Sequence, residues 1–155
     1  MSFEKVKYYF EKAGLGQRVK ELSQSSATVE QAAKALGCEP ERIAKTMSFL
    51  LGNKPILVIT AGDAKIDNKK YKTIFHQKAK MIPAELAESY IGHAPGGICP
   101  FVVKPGVSAY MDVSLKRFDV VYPAAGSDHS AVELSLAELE KLSASEGWID
   151  VCKVS

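Results

Sequence analysis

Residues 43–60 read IAKTMSFLLGNKPILVIT. Two apolar runs flank a Gly52-Asn53 step. The first run mixes Ile43, Thr46 and Phe49, which suits a strand better than a helix, and the second is mostly β-branched. A glycine–asparagine pair between such runs is tight-turn chemistry. The stretch predicts a β-hairpin in the middle of a sheet. In its first strand, alternate residues share a face, and Lys45 stands in a row with Ile43, Met47, Phe49 and Leu51. A lysine there either snorkels to water from the strand's end or points into a pocket, because burying its charge uncompensated is expensive.

Upstream, Pro40 can open a helical turn. Before it, TVEQAAKAL pairs Thr28 with Gln31 as a capping box and stops at Gly37, which predicts a helix. RVKEL, 18–22, alternates like a short strand. Phe3, Val6, Phe10 and Ala13 fall on one helical face, with Ser2 as the expected N-cap and Gly14 as the stop. Downstream, Asp67 or Asn68 can cap a helix through Phe75, and Pro83 opens AELAESY, closed by Gly92. CPFVV, VSAYMD and FDVVY read as three strands, with a helical turn at VSLKR. The loop PAAGSDHS leads to AVEL, Ser135 and Glu138 repeat the capping box before LAELEKL, and WIDVCKV reads as a closing strand. Helices and short strands without strict alternation predict an α+β fold with a mixed sheet, a single domain over residues 1–155.

The bulk numbers agree with a globular protein: 155 residues, 46% hydrophobic, 25% charged, net charge +2. No apolar run approaches the roughly 20 residues that span a bilayer. The N-terminal stretch mixes acids with apolar residues and is no signal peptide, so no membrane and a cytoplasmic setting are expected. Cys38, Cys99 and Cys152 are odd in number and lack a CxxC pair, which argues against a disulfide framework or a zinc site. Without a G-x-G-x-x-G, Walker or H-E-x-x-H pattern, no cofactor is expected. Charge is clustered locally: Lys65, Lys69, Lys70, Lys72, Lys78 and Lys80 share their stretch with one acid, Asp67. This is either a solvated face or a phosphate-binding patch.

Residues 93–101, HAPGGICPF, pose a chemical choice. Cys99 is a nucleophile only if its pKa is lowered beside a base; otherwise it is a pocket wall or core residue. Gly96 and Gly97 allow close approach to backbone amides that can bind a carbonyl oxygen or phosphate, and Pro95 and Pro100 stiffen both sides. Asp128 and His129 in GSDHS are a further candidate pair.

In order along the chain, TVEQAAKALG, RIAKTMSFLL, LVITAGDAKIDNKK, HAPGGICPFVV, AYMDVSL and YPAAGSDHSAVELSLAELEKL resemble the YbaK-type family of aminoacyl-tRNA deacylases. That family includes free-standing prolyl-tRNA editing proteins and the editing insertion of some bacterial prolyl-tRNA synthetases. The likeness runs from about residue 18 to 143. It implies a curved mixed sheet flanked by helices, with a pocket on one side, and hydrolysis of the ester that joins a wrong amino acid to a tRNA's terminal adenosine. It makes Lys45-Thr46 the family's K-T strand motif, Gly96, Gly97 and Pro100 its glycine loop, and Gly126, Ser127, Asp128 and His129 its late loop. The loop continues as ICPFVV, unlike the cysteine-removing branch, and Asp128-His129 stands where the alanine-removing branch has an asparagine–threonine pair.

The implied roles are these. Lys45, Gly96 and Gly97 are catalytic. Thr46, Cys99, Pro100 and Gly126 through His129 line the substrate site, with Cys99 as a wall. Lys65, Lys69, Lys70 and Lys72 contact tRNA phosphates. The expected partner is aminoacyl-tRNA, most naturally tRNA-Pro carrying a small wrong residue such as Ala or Cys, with a synthetase as a further partner. The alternatives are a non-catalytic binding module on the same fold and a thiol-dependent enzyme using Cys99.

Overall fold

The computed structural model describes residues 2–154. The hairpin forms as the turn chemistry requires: β2 (Ile43–Leu51) pairs antiparallel with β3 (Lys54–Ala61), from Leu51↔Lys54 to Ala44↔Ala61. Gly52 takes φ 65° at the first turn position, the conformation a primed hairpin turn needs there. Ile56, Leu57, Val58 and Ile59 of β3 are all fully buried, so β3 is covered on both faces, as an uninterrupted apolar run predicts.

Strands add on both sides. β5 (Ser108–Asp112) runs parallel to β3, and β9 (Trp148–Ile149) parallel to β5. On the other flank β6 (Val120–Pro123) runs parallel to β2, and β8 (Leu134–Ser135) antiparallel to β6. The result is a curled mixed sheet in the order β8-β6-β2-β3-β5-β9. Two antiparallel pairs complete it: β1 (Val19–Glu21) with β7 (Ser130–Val132), and β4 (Ala64–Ile66) with β10 (Cys152–Val154).

Among the described residues, five α-helices pack around the sheet. α1 (Ser2–Lys12) buries Val6 and Phe10. α2 (Val29–Leu36) has the expected capping box and ends at left-handed Gly37. In α3 (Asn68–Phe75), Asp67 accepts from the amides of Lys69 and Lys70. α4 (Ala87–Ile91) ends at Gly92, and α5 (Leu136–Leu142) is capped by Ser135 and Glu138.

The edge of β2 is interrupted in a way that positions the site. β6 pairs only with Ile43 and Ala44. Residues 80–82 take up the same edge at Ser48 and Leu50, where Leu50 N donates to Lys80 O (2.8 Å) and Ile82 N to Ser48 O (3.1 Å). Lys45 and Thr46 lie in the gap between these two partners.

Three sequence expectations are corrected. Ser2 is already helical rather than a cap, and its hydroxyl donates to Gly92 O at 3.1 Å. CPFVV is bend and irregular backbone, not strand; Pro100 has no N–H for a ladder, and Val102 sits at φ 53°. WIDVCKV splits between two sheets, because Val151 N donates to the buried Asp112 Oδ1 (2.9 Å) and leaves the ladder.

Gly62, after β3, lies so close to the Pro40 carbonyl that a Cβ would fall 2.0 Å from its oxygen and 2.8 Å from Val29 Cγ1. Gly62→Ala is expected to lower stability by about 1–3 kcal/mol. Urea denaturation checks this, with Lys78→Ala as an exposed control that leaves the midpoint unchanged.

Candidate active site

A cavity of about 160 Å³ opens at the gap in β2. Ile43 through Thr46 form its floor, and Ser26 through Val29, Gly96, Ile98, Tyr122 and Ser130 stand around it. Small residues (Ala27, Ala32, Ala124 and Ala131) leave the space free.

Most polar side chains at this cavity are already engaged. Ser26 Oγ donates to Ser130 O (3.3 Å) and accepts from Ser130 N (3.1 Å). Thr28 Oγ1 accepts from Gln31 N at 3.2 Å, and Tyr122 donates to Glu133 Oε2 at 3.1 Å. Ser130 Oγ is shared with Ser127. The exceptions are the two adjacent residues on β2. Thr46 Oγ1 is buried with no hydrogen-bond partner among the described residues, a state that costs about 1–3 kcal/mol. Lys45 is half-buried and makes no ion pair among the described residues.

Burial is the largest influence on Lys45 and pulls its pKa below the ordinary lysine value; Asp63 and Glu30 oppose this, and Lys65 reinforces it. Cys152 also lies near it, but burial pushes that thiol up to about 12, so it is uncharged at neutral pH and offers no counter-ion. Asp63 is committed elsewhere: its hydrogen bonds from Arg117, one of them 3.0 Å from Nη1 to Oδ2, hold its carboxyl below the usual range. A bound anion would therefore restore what burial takes from Lys45.

The two loop glycines have different jobs. Gly96, at φ 88°, lines the cavity, with Ala27 and Asp128 packed against it. Its N–H has no backbone acceptor among the described residues. Gly97 faces the late loop, where a Cβ would lie 2.7 Å from Ser127 Cα, and its N–H is spent on Ala94 O (3.1 Å). Gly126, at φ 93°, is packed against the Ser2 backbone.

Cys99 is fully buried and does not line the cavity; Ile98 holds that wall position. Its Sγ lies 3.5 Å from His93 Nε2, which resembles a catalytic pair. The chemistry is the opposite. Burial pushes the thiol up to about 12 and the imidazole below its ordinary value, so both partners are neutral. Pro100 is buried beside it.

Asp128 and His129 are exposed, 3.0 Å apart from Oδ1 to Nδ1, with Glu21 at 3.7 Å from His129 Nε2. Their side chains are not among the cavity's lining groups, but their carbonyls hold the segment above it: Ser26 N donates to Asp128 O (2.6 Å) and Leu22 N to His129 O (2.7 Å). The lysines separate as well. Lys70 Nζ is tied to Asp150 Oδ1 (3.0 Å) and Cys152 O (2.9 Å). Lys69 and Lys72, with Lys78, line a shallow groove apart from the cavity, and Lys65 lies near enough to Lys45 to repel it. Among the described residues no cluster of His, Cys, Asp or Glu is arranged to hold a metal, and no helix is long and apolar enough to cross a membrane.

Known proteins resemble this chain in sequence or in fold. A protein of Bacillus subtilis (strain 168), the uncharacterized protein YwhH, is 49% identical over 155 residues, covering 99% of this chain and 98% of its own. A proline–tRNA ligase of Limosilactobacillus fermentum (strain NBRC 3956 / LMG 18251) is 31% identical over 103 residues, 63% of this chain but 18% of the ligase. A crystal structure of a candidate trans-editing enzyme for prolyl tRNA synthetase superposes with TM-score 0.87 at 25% identity, covering 98% of this chain and 97% of that one. The crystal structure of hypothetical protein APE2540 matches the fold with TM-score 0.84 at 24% identity, covering 96% of this chain and 99% of that one. The description of the aminoacyl-tRNA editing domain matches residues 23–142, and with the fold and cavity above, the chain belongs to that YbaK-like editing-domain family.

Proposed function

We propose that the protein deacylates mischarged aminoacyl-tRNA in trans, in the cytoplasm, acting on tRNA-Pro that carries a small wrong residue such as Ala or Cys. The observation that carries this reading is the uncommitted trio at the cavity: the Lys45 ammonium, the Thr46 hydroxyl and the Gly96 N–H.

Water adds to the ester carbonyl carbon, the Gly96 amide donates to the developing oxyanion, and the carbon–oxygen bond to the terminal ribose breaks, its oxygen taking the proton. Lys45 anchors negative charge beside the ester or the terminal phosphate, and Thr46 hydrogen-bonds the substrate. Among the described residues no imidazole or carboxylate lines the cavity, so the proton relay is assigned to substrate hydroxyls and catalysis to positioning. A cavity of about 160 Å³ admits a small side chain; each excess methylene costs about 1–3 kcal/mol. Lys65, Lys69 and Lys72 meet tRNA phosphates, a synthetase being the natural donor of the substrate, while Lys70 braces β10.

The test is a deacylation panel led by Ala-tRNA-Pro and Cys-tRNA-Pro. Wild type is expected to hydrolyse one mischarged species, Lys45→Ala to lose about 10²-fold or more in kcat, and Thr46→Val about tenfold in kcat/KM. A folded wild type that binds every species and turns over none would make this a binding module instead.

Alkylation separates the thiol reading. Iodoacetamide near neutral pH is expected to label the partly exposed Cys38 and spare Cys99 and Cys152, with activity unchanged. Loss of activity in step with labelling of Cys99 would reverse that assignment.

Binding of tRNA should weaken steeply with added salt. Lys69→Ala and Lys72→Ala are each expected to lower the log–log salt slope by about one, whereas Lys70→Ala should lower thermal stability instead. Gel-shift titrations at several salt concentrations and a melting curve check both.

A further inference from the structure

β2 meets the cavity edge-on. Ile43 and Lys45 belong to one face of the strand, Ala44 and Thr46 to the other, yet all four line the same space. Since β3 covers the inner edge of β2, the cavity reaches both faces only across the outer edge, where main-chain groups stand.

The ladder says which groups those are. Alternate residues of a strand send both N–H and C=O to the same side. Leu50 N donates to Lys80 O and Ser48 O accepts from Ile82 N, so the even-numbered residues of β2 face away from β3. The pairing with β3 keeps one register from Ala44 to Leu51, without a bulge. The N–H and C=O of Thr46 therefore lie on the outer side as well. β6 reaches only as far as Ala44, and residues 80–82 take up the edge again at Ser48. Neither main-chain group of Thr46 has a partner among the described residues. A donor and an acceptor side by side on an unpaired strand edge are a template for another extended segment.

An aminoacyl ester carries the complementary pair. Its α-amino group donates whether or not it is protonated, and its carbonyl oxygen accepts. In an extended conformer both lie on one side, as in a strand residue. No carboxylate lines the cavity to receive the amine, among the described residues. The Thr28 carbonyl, at the start of α2, is already taken by Ala32 N at 2.9 Å.

We propose that the aminoacyl group docks on Thr46 as a one-residue antiparallel strand. Its α-amino group donates to Thr46 O, and its carbonyl oxygen accepts from Thr46 N–H, with the Gly96 N–H as a second donor to that oxygen. This rests on the deacylase reading above and adds how the site recognises an α-amino acid as such. Two selectivities follow. An acyl group without the amine loses one of the paired bonds. Residues directly opposed in an antiparallel pair also put their side chains on the same face. An L-residue then projects beside Thr46 and the small Ala44, whereas a D-residue projects toward the larger Ile43 and Lys45.

The experiment titrates ¹³C,¹⁵N-labelled protein with 3′-deoxy-3′-(L-alanylamino)adenosine, whose amide link resists hydrolysis, and with its D-alanyl and propionyl counterparts. HNCO spectra read the Thr46 amide and, through the Met47 amide, the Thr46 carbonyl carbon, so no residue of the strand is substituted. The L-alanyl compound is expected to shift both signals saturably. The propionyl compound should bind about tenfold more weakly and leave the Thr46 carbonyl carbon unmoved, and the D-alanyl compound should also bind about tenfold more weakly. A silent Thr46 amide and carbonyl at millimolar L-alanyl compound overturns the proposal, as does equal affinity for either counterpart. Turnover in the tRNA panel beside such a result keeps the deacylase reading and removes only this one; no turnover beside it removes both.

Discussion

The antiparallel ladder between β2 and β3 is the constraint on which everything else rests. Its register places Lys45 opposite Thr60 and Ala44 opposite Ala61, and the large sheet grows outward from this pair, through β6 to β8 on one side and through β5 to β9 on the other. β3 receives β5 along Ile56 to Ile59, while β2 receives β6 only at Ile43 and Ala44. The asymmetry matters. A strand edge left partly unpartnered in a folded protein must be covered or used, and here the uncovered stretch is the one bearing Lys45 and Thr46.

The energetic cost of the site is concentrated in the same two residues. A half-buried ammonium and a buried hydroxyl without a partner both oppose folding, and the surrounding structure offsets them. Ser114 Oγ accepts from Ala61 N at 3.1 Å, and Asp112 Oδ2 accepts from Ser114 N at 2.9 Å. That chain of bonds braces the end of β3 directly across from the floor of the cavity. Asp112 Oδ1 also holds Val151, so one buried carboxylate ties β5 and the approach to β10 together behind Lys45.

The hairpin, the three side-chain helix caps at Thr28, Asp67 and Ser135, and the α+β class were legible because each is written in a local code: turn residues, caps and apolar period. Lys45 was legible as an exception, a cation in an apolar row. What escaped was set by tertiary structure. CPFVV has the composition of a strand, but Pro100 and the docking of Phe101 against Phe10 of α1 make it an irregular, bent segment. Adjacent glycines look equivalent in sequence, yet the Gly97 amide closes a turn and the Gly96 amide does not. Cys99 and Ile98 differ only in which way the chain points them. Lys69 and Lys70 are neighbours, but Asp150, far along the chain, claims one of them. The alanines that make room in the cavity come from separate elements and carry no signal of their own.

The pairing of β4 with β10 has a kinetic meaning. It joins Ala64 through Ile66 to Cys152 through Val154, and Cys152 is a near neighbour of Lys45. The hairpin is a local structure that can zip early, whereas contacts of such long sequence separation bear the loop-closure entropy and form late. During synthesis the hairpin leaves the ribosome well before β10 exists. Until β10 docks, Lys45 lacks its Cys152 neighbour, so the burial that lowers its pKa depends on a strand that joins late.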